Sequence, residues 1–241
     1  YKRQIVNNNV NNASDDYINY FWKAGGLGSI NTSGTITSIV SANQAAGISV
    51  VKYIGNNTSG ATIAHGLGAI PGLMIVKRLD STGDWIVYHS SLGATKYQLM
   101  NSNAAAYTAT NVWNDTAPTS SVFSIGNYGE INTSGGSYIA YCFAPITGFS
   151  KIGTFSGNRP STVTITTGFQ PTWVLIKDAS NTEGWAIIDS VRGDNLLEAQ
   201  STNAQSSYNS VQFTSTGFTV GDSGLVNTSG ADILYMAIKE N

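Results

Sequence analysis

Ile70-Pro71-Gly72-Leu73-Met74-Ile75-Val76-Lys77 and Gln170-Pro171-Thr172-Trp173-Val174-Leu175-Ile176-Lys177 decide how this chain is read. After each proline the residues read as a short strand, because successive side chains of a strand point to opposite faces. Leu73, Ile75 and Lys77 belong on one face and Met74 and Val76 on the other. The proline and the lysine recur at an offset of 100, and the same offset brings Trp85 to Trp185, Ser90 to Ser190 and Gly93 to Gly193. Further on, Asn132-Thr133-Ser134-Gly135 returns as Asn227-Thr228-Ser229-Gly230 at an offset of 95, together with Phe123, Gly126 and Gly129 as Phe218, Gly221 and Gly224. Agreement over so many positions with one length change marks an internal repeat.

Around this repeat the chain punctuates itself. The turns Asp80-Ser81-Thr82-Gly83-Asp84 and Asn181-Thr182-Glu183-Gly184 each lead into a β-rich run, Trp85–His89 and Trp185–Asp189. Closing strands are expected at Tyr138–Ala144 and Ile233–Ile238, and no stretch has the length and period of a sustained helix. The expected fold is therefore all-β: two tandem β-sandwich modules related by the repeat, at 47–147 and 148–241. Residues 1–46 read as the tail of an upstream module plus a connector, because Tyr17–Trp22 matches the closing strand Tyr138–Phe143 and the chain opens at Tyr1 like a piece of something longer.

Composition excludes several functions. Of 241 residues only 11% are charged, the net charge is −2 and no block of like charge occurs, so the basic patch that nucleic acid requires is missing. Hydrophobic residues at 41% suffice for cores. Charge is replaced by 26 glycines and by Ser, Thr and Asn at roughly a third of the chain, above ordinary globular usage. One cysteine, Cys142, forms no internal disulfide, and no apolar run reaches the length of a membrane span.

The candidates for chemistry each have a plainer reading. His89-Ser90 with Asp189 offers the residue types of a nucleophilic device, but neighbours on a strand face opposite ways and a strand-end hydrogen bond explains the histidine. His65 sits in a glycine-rich turn. Asp80 and Asp84, and Asp178 and Glu183, could pair as glycosidase carboxylates, yet Asp at a turn bonds its own backbone. One Cys, two His and no dense acidic loop argue against a metal site. Asn31, Asn57, Asn132 and Asn227 match a glycosylation pattern, but their repeated positions favour a structural role. Trp85 and Trp185, at matched strand starts, are expected in the core.

The phrases Ile63-Ala64-His65-Gly66-Leu67-Gly68, Asp84-Trp85-Ile86-Val87-Tyr88-His89-Ser90, Trp113-Asn114-Asp115-Thr116-Ala117-Pro118-Thr119-Ser120, Tyr138–Ala144 and Trp22-Lys23-Ala24-Gly25-Gly26 together resemble a repeated domain of tail-fibre-like structural proteins of tailed bacteriophages, many of them marine. The resemblance runs from about residue 17 to the end. It implies a non-enzymatic virion protein, a tail fibre or other surface appendage used in host attachment, and it carries no site residues and no cofactor. In the second copy Gln170-Pro171 replaces the Gly-Leu-Gly approach, and Asp189 stands where His89 does.

The expected partners are other virion proteins and copies of this chain, as a trimer or larger symmetric assembly, with a host surface glycan as the external ligand. No nucleic acid and no membrane insertion are expected. The alternative is a secreted bacterial carbohydrate-binding module or adhesin. For a ligand contact the sequence nominates Asn111, Trp113, Asn114 and Asp115. They lie where the first copy is five residues longer between Ser90 and Asn132 than the second is between Ser190 and Asn227. There Trp113 would stack on a sugar; otherwise it caps the core and Pro118 stiffens the return.

Overall fold

Continuous apolar runs such as Leu73–Val76, whose successive side chains point to opposite sides, give strands with two apolar faces, and such strands must be covered on both sides. The structure, a computed structural model, describes residues 18–193, 195–207 and 210–240. Among them 42% are strand and 4% helix. The first half contains β1 (Ser29–Asn31), β2 (Ser38–Asn43), β3 (Ile48–Ile54), β4 (Ala61–Ala64), β5 (Leu73–Arg78), β6 (Trp85–His89), β7 (Lys96–Leu99), β8 (Tyr107–Thr108), β9 (Val122–Ile125), the single turn α1 (Gly129–Asn132) and β10 (Ser137–Phe143). The second contains β11 (Ser150–Ser156), β12 (Val163–Thr166), β13 (Trp173–Asp178), β14 (Trp185–Asp189), β15 (Asn195–Glu198), β16 (Ser206–Ser207), β17 (Val211–Thr214), β18 (Gly217–Val220), α2 (Gly224–Asn227) and β19 (Asp232–Ile238).

Two large antiparallel sheets have the orders β1-β2-β3-β10-β5-β6-β7-β8 and β11-β19-β13-β14-β15-β16, so the second follows the first strand for strand from β3 onward. Each is faced by a small sheet, β4-β9 in the first half and β12-β18-β17 in the second. In the first half Val51, Tyr53, Met74, Val76, Ile86 and Ala140 of the large sheet pack on Ile63, Phe123 and Ile125 of the small one. In the second, Val174, Ile176, Ile188, Ile233 and Ala237 pack on Ile165, Phe218 and Val220. A third apolar cluster lies between the halves: Ile48, Leu73, Val87 and Phe143 against Leu175, Trp185, Met236 and Ile238. The odd-numbered face of β5 and its counterparts thus packs large sheet on large sheet, and the layers run small, large, large, small.

The connector expected over 1–46 is corrected for its described part. β2 pairs with β3 from Ser38↔Tyr53 to Asn43↔Ile48, and Ile36 and Val40 enter the first core. Residues 29–43 therefore belong to the first sandwich, because the outer edge of β3 carries backbone groups that need partners and β2 supplies them. Ile18–Trp22 forms no strand. Its aromatic rings lie across the seam between the halves, and residues 1–17 lie outside the described residues.

The repeated Asn-Thr-Ser-Gly phrase acquires its reason here. Asn132 is fully buried at the end of α1; its Oδ1 accepts from Asn56 N and Asn57 N, and its Nδ2 donates to Thr58 O and Gly126 O. Asn227 does the same work at the end of α2, accepting from Asn158 N and donating to Ser161 O and Gly221 O. Each asparagine clasps the loop that follows β3 or β11 to the loop before its own helix turn. Gly55 and Gly157 permit the approach, since a Cβ there would overlap Thr133 O or Thr228 O. Buried amides of this kind leave no nitrogen open to a glycan.

Candidate functional site

An apolar groove forms where residues 18–26 cross the double sandwich. Residues 18–26 run beside β2, tied down by Asn43 Nδ2 donating to Lys23 O at 2.9 Å and Ser41 Oγ donating to Gly26 O at 2.7 Å. This lays Tyr20 and Trp22 over Phe143, at the end of β10, and Trp173, at the start of β13. The Trp22 ring meets Trp173 edge-on at 5.6 Å and Phe143 at 6.3 Å, and Tyr20 meets Trp173 at 6.0 Å. The groove beside them has a volume of about 460 Å³, with Asn19, Asn43 and Ser190 among its polar walls. Trp22 remains 43% exposed and Phe21 90% exposed.

One polar knot anchors this aromatic seam. Tyr20 Oη donates to Asp189 Oδ2 at 2.7 Å, Arg192 Nε donates to the same oxygen at 2.6 Å, and Val191 N and Arg192 N donate to Oδ1. Burial works to raise the Asp189 carboxyl, but the bonds from Tyr20 and Arg192 outweigh it and hold it below the usual carboxylate range. Burial, with the bond to Asp189, pushes the Tyr20 hydroxyl well up. Arg192 Nη1 and Trp173 Nε1 are buried with no hydrogen-bond partner among the described residues. With four donors on it, Asp189 is a fixed strut rather than an acid or base, and it anchors a groove walled by aromatic rings with amide and hydroxyl groups at its edges.

The contact nominated at Asn111, Trp113, Asn114 and Asp115 is corrected. Trp113 is 1% exposed and meets Tyr88 edge-on at 5.6 Å inside the first core, so its ring has no face for a sugar. The physical reason lies in the turn that follows. Asn114 and Asp115 adopt φ of 52° and 47°, which bends the chain back and turns Trp113 inward. Asn114 Oδ1 accepts from Ser59 Oγ, Pro118 is buried, and of the four nominated residues Asn111 and Asp115 are exposed and Asn114 is half-buried. In the second half β17 lies in this position, its Val211 and Phe213 at the core.

The remaining candidates are structural in their geometry. His65 and His89 share one arrangement: Nδ1 accepts an N–H two residues on, from Leu67 and Ser91, leaving Nε2–H to donate to Thr119 O at 3.1 Å and Tyr235 O at 3.4 Å. Burial pushes His65 down and His89 down to about 4, so both are neutral at pH 7. Asp189, the repeat-mate of His89, likewise accepts from the amide two residues on. Asp80 pairs with Arg78 at 2.7 Å, and Asp178 accepts from Ser180 N, Asn181 N and Asn181 Nδ2. The structure brings none of these carboxylates together with His89. Among the described residues no group of three metal-ligating side chains occurs.

A second, polar cleft of about 540 Å³ opens between loop residues Asn101–Asn103 of the first half and Glu183, Glu198 and Gln200 of the second. Behind it the Lys177 ammonium is buried and donates to Asn103 O, Asp178 O and Glu183 O. Burial pushes it down to about 8, against the pull of Asp178 and Glu183.

Sequence reasoning missed the aromatic groove. Tyr20 and Asp189 are 169 residues apart, and no local pattern announces that a segment ahead of the sandwiches will fold across their seam.

Fold and groove define a class: an all-β protein of face-to-face sandwich units with a ligand-sized aromatic groove at their seam. The chain belongs to the family described as Domain of unknown function (DUF7483), whose family model matches residues 2–241. Comparison with curated proteins and with solved structures returned no match.

Proposed function

We propose that this chain is a non-enzymatic structural module of a bacteriophage virion, part of a tail fibre or other surface appendage, built from two copies of one sandwich unit and used in host attachment. The observation that carries this reading is the set of phrases from Trp22-Lys23-Ala24-Gly25-Gly26 to Tyr138–Ala144 that resemble tail-fibre-like proteins. The fold supports it. Trp22 packs on Phe143 of the first half and on Trp173 of the second, and the two large sheets bury a shared apolar cluster, which makes the pair one packed unit rather than two beads on a linker. His65, His89, Asp178 and Asp189 are each committed to backbone hydrogen bonds, which supports a structural role.

Immunogold labelling of purified particles from producing cells tests the reading. Label on a tail or capsid surface is the expected result, and particles free of the protein would overturn it.

The groove favours a second reading, a secreted carbohydrate-binding module or adhesin, because exposed Trp22 and Phe21 offer rings on which a sugar stacks. Under either reading a glycan array probed with the chain should bind host-surface saccharides, and Trp22→Ala should weaken that binding by about tenfold or more.

A further inference from the structure

The cross-strand register of the first large sheet aligns one row of outward-facing side chains: Ile30, Ile39, Lys52, Ile139, Lys77 and Trp85. The two rows below it on the same face, with Phe143, Leu73 and Val87 among their members, are covered by the second half. This upper row is only partly covered, with Lys52 exposed and Ile139 and Lys77 half-buried. Ile30 is 75% exposed, Ile39 47% and Trp85 36%. It is the direct continuation of a buried sheet-on-sheet interface, and it is apolar apart from its two lysines.

The second half shows what such a row takes as a cover. Its counterpart, Leu234, Lys177 and Trp185, is in the same register and fully buried. The cover comes from the other half, from the loop between β7 and β8. Trp185 Nε1 donates to Leu99 O at 2.8 Å, Lys177 Nζ donates to Asn103 O at 3.3 Å, and Ala106 N donates to Ala179 O at 2.8 Å. The contact is made by backbone carbonyls that meet an ammonium and an indole N–H, so it depends on the shape of the loop more than on its side chains.

The second half carries that same loop between β15 and β16. Ser102 Oγ accepts from Ala104 N in the first, and Ser201 Oγ accepts from Asn203 N in the second. Ser102 N donates to Leu99 O, and Ser201 N donates to Glu198 O. Residues 202–205 are exposed. A row left partly open and a loop with the form of the missing cover are therefore both present at the surface.

We propose that the row Ile139, Lys77 and Trp85 is an interface for a second copy of this chain, whose loop 199–205 takes the place that loop 100–106 takes on the second half. Lys77 and Trp85 then donate to carbonyls of the partner's loop as Lys177 and Trp185 do within the chain. Exchanged reciprocally, the contact closes about a two-fold axis; passed in one direction, it makes a ring or a fibre. The inference does not depend on where the protein acts.

Sedimentation velocity of the full chain across the micromolar range tests it, with Trp85→Gln on the row and Asn203→Pro in the loop. Self-association weakened about tenfold or more by each variant is the expected result. Melting curves read alongside show that the fold persists; should Asn203→Pro unfold, Thr202→Arg replaces it. A chain that stays monomeric throughout, including one that binds only a saccharide or another protein, overturns the proposal. So does association that survives either the row variant or the loop variant.

Discussion

Trp85 and Trp185 begin equivalent strands, follow equivalent turns and bond their backbone N–H to equivalent amides, Asn101 Oδ1 and Gln200 Oε1. Yet Trp85 is 36% exposed and Trp185 is 2% exposed. The lysines beside them differ in the same way: Lys77 is part-buried and donates to Arg78 O, whereas Lys177 is enclosed by carbonyls from both halves. Local sequence thus sets strand, register and facing, but the depth of a side chain on the outer face is set by what another part of the chain lays over it. The shared interface is lopsided, since the first half lends its loop 100–106 to the second and, among the described residues, the row of Lys77 and Trp85 receives no such loop in return. Both tryptophans were expected in a core, and for Trp85 that expectation is corrected: its strand faces the interface, but beyond the interface's edge.

The largest consequence is for stability. Trp185→Ala should cost about 3–5 kcal/mol, as a buried aromatic truncation does, while Trp85→Ala should cost about 1 kcal/mol or less. Chemical denaturation of the two variants measures the contrast, and equal losses would break it. Next come the two clasps, which the comparison predicts to be alike. Asn132→Ala and Asn227→Ala each strand several buried backbone groups and should each cost about 1–3 kcal/mol by thermal melting. A cost in one half alone would mean that the halves are held by different means.

The third effect is in pH. His89 is held neutral down to about pH 4, while an unfolded histidine takes up its proton near 6.5. The unfolded chain therefore binds the extra proton between those values, and stability should fall as pH drops from 6.5 to 4, then level off for this group. His89→Gln should flatten that slope in acid melts between pH 6.5 and 5, whereas its repeat-mate Asp189, held low by its donors, adds its own loss only from about pH 5 downward.

The smallest effect is alkaline. Lys177 loses its proton near 8 in the folded chain and near 10.5 when unfolded, so its contribution makes stability rise with pH across that window. Lys177→Met should remove this rise and Lys77→Met should leave it in place, as read from melting temperature against pH.

Much of the fold was legible because its signals are local. The alternation in Leu73–Lys77 and Trp173–Lys177 fixes strand and facing, and the turn residues before Trp85 and Trp185 fix the hairpins. The common offset aligns one half with the other. The placement of residues 29–43 was not legible, since the edge of a strand that needs a partner leaves no mark in that strand's own sequence. Nor was the inward turn of Trp113, which depends on two successive left-handed residues, Asn114 and Asp115, that no glycine announces. The groove was hidden for a related reason: its rings come from Tyr20, Trp22, Phe143 and Trp173, on segments far apart in sequence that meet only in the tertiary fold.

The central claim is that the first half buries the outer face of the second, with the Trp185 indole N–H bonded to Leu99 O as its marker. Hydrogen exchange of the tryptophan indoles, followed by NMR on the full chain, tests this most directly. The account predicts that the Trp185 indole proton persists after that of half-exposed Trp22 has exchanged and is lost only with global unfolding. A Trp185 indole that exchanges as fast as Trp22 would contradict it.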